Sequence, residues 1–182
     1  MMNLYPIILF LHIIGALGLF VSLGLEWVSM LKLRRLANAE DARGRVNLIA
    51  SLPKLYGPIW MAILFPGIYL AFTVWGWSTA WIVVSLVAML LIPILGAAIS
   101  GPRLQAIGRI VTTESGQLSP TFHNLLNDPF LWASVHIRIA IALGILFLMM
   151  IKPSLGGAVI SIGIAALLGL ASVLPIFRRG NG

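Results

Sequence analysis

Cysteine is absent from the 182 residues. Disulfides, thiolate metal sites and cysteine nucleophiles are therefore excluded, while the compartment stays open. Charge is nearly as scarce. Only 9% of residues are Asp, Glu, Lys or Arg, against roughly 25% in soluble domains. A water-soluble chain of this length could not cover its surface with so few charges. Acids number five and histidines three. No apolar run holds paired carboxylates. No glycine-rich phosphate loop, His-Glu-x-x-His or Gly-x-Ser-x-Gly occurs, which sets aside an ATPase, a zinc protease and a lipase. What is plentiful is apolar: 60% of the chain, which also excludes disorder.

A membrane span needs about 20 mostly apolar residues. Five runs meet that length, at about 5–27, 55–75, 81–100, 133–151 and 156–177. The expected fold is all-α, a polytopic five-span bundle forming one domain over residues 1–182. Two polar segments, 28–54 and 101–132, connect the runs on one side. The first run is too long for a signal-peptide core, and no basic residue precedes it.

Basic residues set the direction. Lys32, Arg34, Arg35, Arg43, Arg45 and Lys54 lie between runs one and two; Arg103, Arg109 and Arg138 lie between three and four or just inside four; Arg178 and Arg179 close the chain. Only Lys152 falls on the other side. Cytoplasmic loops collect Lys and Arg, so the N-terminus is expected outside and the C-terminus in the cytoplasm. The net charge of +7 is then mostly an insertion signal. Tyr5, Trp75, Trp77 and Trp81 fall at outer ends and Trp27, Tyr56, Trp60 and Trp132 near inner ends, as aromatic belts require.

The short connections 76–80 and 152–155 predict that runs two and three, and four and five, are antiparallel neighbours. Run one is expected to continue as helix to about Ala37. Asn38 is expected to cap a helix ending at Leu52, before Pro53, with Glu40 and Asp41 in its first turn. Segment 101–132 reads as helix, turn, helix, with Ser119-Pro120 and Asp128-Pro129 as start signals. Its first helix, around Leu104, Ile107 and Val111, suits either the headgroup layer against anionic lipid or packing on the bundle. The basic segments are too short and too poor in aromatics for a nucleic-acid module.

Run five carries Gly157, Ser161, Ala165 and Gly169, a stripe that lets another helix approach closely, within the bundle or on another copy. Pro66 and Pro93 interrupt runs two and three. Each frees a carbonyl and bends its helix.

Ionisable groups at membrane depth are costly, so each is a functional candidate. Glu26 and Arg138 fall at similar depth near the inner side, as a structural ion pair or as a relay opening to the cytoplasm. His12 lies about 10 Å below the outer side at helical rise. His136 lies near the inner side, so one iron held by both histidines is not expected. A cofactor site on His12 would draw on Met89 and Tyr69, which share its layer; otherwise His12 is neutral and hydrogen-bonded. No metal site is expected.

Leu11-His12-Ile13-Ile14-Gly15-Ala16-Leu17, Pro66-Gly67-Ile68-Tyr69-Leu70 and Phe147–Pro153 with Arg138 upstream resemble an uncharacterised family of small bacterial integral membrane proteins. That family is distantly similar to the copper-resistance D membrane domain and to the bacterial membrane protoporphyrinogen oxidase that binds haem b. The resemblance covers roughly residues 5–153. It implies a bacterial inner-membrane location and puts His12 where the oxidase has an important first-span histidine.

Three readings follow. The first is a non-catalytic subunit or accessory protein of a membrane assembly, homo-oligomeric or part of a larger complex, with no cofactor. The second is a haem b redox protein using His12. The third is a small-solute or ion permease around Glu26, Pro66 and Pro93.

Overall fold

The computed structural model describes residues 4–174. Among these, every regular element is helical. Four helical stretches are long and apolar enough to cross a membrane: Tyr5–Leu33, Ala39–Trp75, Ala80–Thr113 and Pro120–Ile151. A shorter apolar helix, Leu155–Ala171, follows. Arg178, Arg179 and the end of the fifth run lie outside the described residues.

Helix α1 spans Tyr5–Leu33, with Pro6 in its first turn, where a missing N–H costs nothing. It stops short of the expected Ala37. Arg35 and Leu36 donate to the Lys32 and Leu33 carbonyls instead, closing tight turns. Asn38 is extended, and its side chain accepts from the Glu40 N–H at 3.1 Å, starting helix α2 at Ala39.

Helix α2 runs Ala39–Leu70 without a break. Pro53 does not end it; Pro53, Pro58 and Pro66 all lie inside. Each removes its own backbone bond and crowds the carbonyl one turn earlier, and the packing of α2 on α1 offsets that cost. Gly15 makes that contact close. A Cβ there would lie 2.8 Å from the Ala62 carbonyl carbon. A π-helical turn, Ala71–Trp75, ends the stretch, and Gly76 turns the chain at φ 80°.

Helix α3 spans Ala80–Leu95, a second π turn covers Gly96–Ser100, and α4 continues over Gly101–Thr113. Despite the short connection, α2 and α3 do not pack along their length as expected. Helix α3 packs on the later helix α6 (Pro129–Ile151), and α2 packs on α1 and α4. The π turn at Gly96–Ser100 inserts a residue and re-aims α4, which follows it directly, while the one at Ala71–Trp75 runs into the turn at Gly76. Two cavities occupy the gap that remains.

Helix α4 packs on the bundle: Ile107 and Val111 are buried in one cluster with Ala39, Ala42, Val46 and Ile49. A strap joins the two polar segments. Ala39 N–H donates to Gly116 O at 2.8 Å and Leu118 N–H to Ala37 O at 2.9 Å. Arg43 donates to the Val111 and Glu114 carbonyls. Ser119 caps α5 (Pro120–Leu126) by accepting from Phe122 N–H. Asp128 caps α6 by accepting from Phe130 N–H at 2.8 Å.

Helix α6 ends at Lys152, in the left-handed region at φ 54°. Helix α7 (Leu155–Ala171) returns along it. Half of the small-residue stripe makes this contact. A Cβ on Gly169 would lie 2.9 Å from Ile137 Cα, and one on Gly144 would lie 3.0 Å from Ala165 Cβ.

Candidate functional site

One face of α1 supplies both polar centres. His12, Gly15, Leu19, Ser22 and Glu26 recur every three or four residues and turn inward. Glu26 meets Arg138 of α6. Arg138 Nη2 donates to Glu26 Oε1 at 2.6 Å and Nη1 to Oε2 at 3.1 Å. Both side chains are only 3–4% exposed, so the pair is held away from water. The bidentate fork is the strong form of this contact.

The surroundings complete the hydrogen bonding. Arg138 Nη2 also donates to Ser100 Oγ at 3.2 Å, and Nε donates to Ser134 O at 3.3 Å. Ser100 Oγ donates to Ser134 Oγ, which donates to Leu95 O. Tyr56 O–H donates to Glu26 Oε2 at 3.2 Å. Gly96 makes room: its Cβ would lie 3.3 Å from Arg138 Nη1. Four donors of the guanidinium are thus engaged. Tyr56, Ser100 and Ser134 carry no signal of their own in the sequence, although Ser134 stands one turn before Arg138 on the same helix face. The pair borders a cavity of about 280 Å³, which Pro93 also lines.

His12 occupies the other polar centre. Its Nδ1 lies 2.8 Å from Ile63 O. A carbonyl only accepts, so Nδ1 carries the proton and Nε2 keeps its lone pair. Gly67 lets the ring sit against α2, since a Cβ there would lie 3.0 Å from His12 Cε1. His12 and Met89 line the same cavity, of about 300 Å³, between α2 and α3. Tyr69 does not: it is exposed and points elsewhere. It stands two residues beyond Gly67, roughly 200° further around the helix. Ser85, one turn before Met89, lines the cavity as well, and its buried hydroxyl has no hydrogen-bond partner among the described residues. Lys152 closes the rim, with Nζ 4.0 Å from the Trp75 ring centre.

His136 belongs to a third group. Trp27 Nε1 donates to His136 Nε2 at 3.0 Å, so Nδ1 holds the proton and donates to Ser172 Oγ at 2.8 Å. Ser172 O–H in turn donates to Gly169 O at 2.7 Å. This chain joins α1, α6 and α7, and shares no partner with His12. Pro66 lines neither cavity. The two cavities share no lining residue. The buried apolar cluster of Leu19, Ile63, Met89, Ile92 and Ile145 supplies walls to both.

No protein-family model, curated protein or solved structure matches the chain.

Proposed function

We propose that this chain is a five-span protein of the bacterial cytoplasmic membrane. Its N-terminus lies outside and its C-terminus in the cytoplasm. It acts as a non-catalytic subunit or accessory protein of a larger membrane assembly. The four long apolar helices and α7 support the spans. The strap between Ala37 and Leu118 gathers the two basic segments at one end of the bundle. Lys152 stands with Trp75 at the other.

The observation that carries the functional reading is how charge is disposed. The buried pair Glu26–Arg138 is closed upon itself and its serine and tyrosine partners, which suits a structural tie rather than a relay. At the basic end Lys32, Arg35, Lys54 and Arg109 are exposed, and no ion pair engages them among the described residues. That end is suited to anionic lipid headgroups or to an acidic partner. Native mass spectrometry of protein released from a phosphatidylglycerol-containing bilayer checks this. The expected species exceeds one chain in mass and retains anionic lipid; a bare single chain contradicts the reading.

A second reading, haem b on His12, is favoured by one observation. The Nδ1–H bond to Ile63 O leaves Nε2 as a ligand atom, in the manner of metal-binding histidines, and Met89 lines the same cavity. These two residues would hold the haem, which would supply one-electron chemistry. A reduced-minus-oxidised Soret difference, lost in His12→Phe, is its signature.

A further inference from the structure

We infer that the cavity between α2 and α3 binds a prenyl- or alkyl-substituted quinol, with its ring between Ser85 and His12 and its tail in the gap between the two helices. This goes beyond the accessory-protein reading and does not depend on it.

A helical serine ordinarily turns its hydroxyl onto the carbonyl one turn earlier. Thr73 does so to Tyr69 O, and Ser161 to Gly157 O, both at 2.8 Å. Ser85 is only 5% exposed, yet its hydroxyl makes no such bond. An orphaned buried hydroxyl is costly, and this one lines the cavity. Across the same cavity His12 offers a second unmet demand. Its Nδ1 proton is spent on Ile63 O, so Nε2 can only accept.

The two demands define a ligand. It must give a proton to Nε2 and offer an oxygen, or a second hydroxyl, to Ser85. The walls are apolar and aromatic, so the rest of it must be apolar and a neutral head is preferred. A carboxylate or a phosphodiester fails this pattern, because it has no proton for Nε2 at neutral pH, and a phosphate of any kind brings a charge that the apolar walls disfavour. It would stop at the rim beside Lys152 and leave Ser85 unmet. A quinol has two hydroxyls on one flat ring, an apolar body, and a tail for the opening between α2 and α3. The oxidised quinone lacks the proton that Nε2 requires and is expected to bind less well.

The probe is a benzoquinol with a ten-carbon alkyl tail, added to the full-length protein in nanodiscs. Binding is read by quenching of tryptophan fluorescence, since Trp75, Trp77 and Trp81 line the cavity. Saturable quenching is expected. Ser85→Ala should weaken it about 5- to 10-fold, the range of one hydrogen bond, with thermal stability unchanged or raised because no internal bond is lost. Lys152→Gln should change it less than twofold, and oleate should not displace the probe. Four results each overturn the inference: no saturable binding to the wild type; equal affinity in Ser85→Ala; displacement by oleate with a larger loss in Lys152→Gln than in Ser85→Ala; or a Soret band in the purified protein that His12→Phe abolishes, which would give Nε2 to haem.

Discussion

Replacing Glu26 by Gln leaves Arg138 charged, buried and facing an amide. The guanidinium keeps Ser100 Oγ and Ser134 O but loses the charge that compensates it. Breaking a buried pair by removing one partner costs about 3–5 kcal/mol. For a chain of this length each kcal/mol moves the midpoint by roughly 2–4 °C. Glu26→Gln should therefore lower the thermal midpoint in detergent by on the order of 10 °C. Arg138→Met should cost a similar amount, because Glu26 is then the uncompensated charge, with only Tyr56 donating to it. The double variant carries neither charge, and replacing a buried pair by neutral groups is often close to neutral in stability. It should return to within about 1 kcal/mol of wild type in a double-mutant cycle. Reversible denaturant unfolding in mixed micelles measures all three. If both singles lose less than about 1 kcal/mol, the pair is not desolvated as its geometry requires. If the double is as damaged as the sum of the singles, the two residues act independently and the structural-tie account fails.

Glycine substitutions test the close helix contacts with internal controls. Gly15→Ala should cost about 1–3 kcal/mol or more by overpacking against the Ala62 backbone, whereas Gly24→Ala meets nothing within 4 Å and should be neutral or stabilising by helix propensity; the two midpoints compare directly. On α7, Gly169→Ala should loosen the contact with α6 and Gly163→Ala should not, read as amide hydrogen exchange along Leu155–Ala171. Asp128→Ala removes both the α6 cap and the ion pair with Arg103, and should cost more than the roughly 1 kcal/mol of Ser119→Ala, which loses a cap alone.

Much of the fold is legible in the sequence as layers. The apolar runs, the caps at Asn38, Ser119 and Asp128, and the depth at which Glu26, Arg138, His12 and Met89 lie can all be counted along a helix at 1.5 Å per residue. What the count cannot give is azimuth. Tyr69 shares the layer of His12 but faces away, because depth changes slowly along a helix while direction turns about 100° per residue. The interior prolines, three in α2 and one in α3, and the π turn that closes each helix disturb that phase further. The same phase shifts let α2 and α3 part, although only a few residues join them. Pro53 reads as a stop because a proline's local cost is visible in the sequence, while the packing of α2 on α1 that outweighs it is not. Tyr56, Ser100 and Ser134 are ordinary residues made important only by the charge pair they surround.

The chain's lack of cysteine makes its topology directly measurable. Ser78, Ser115 and Ser154 are exposed in three different connections, so a single cysteine at each is the sole thiol in the molecule. A membrane-impermeant maleimide should label Ser78→Cys and Ser154→Cys on spheroplasts, and Ser115→Cys only after permeabilisation. Labelling of Ser115→Cys in intact spheroplasts, or of Ser78→Cys and Ser154→Cys from opposite sides, would contradict the five-span arrangement with its N-terminus outside.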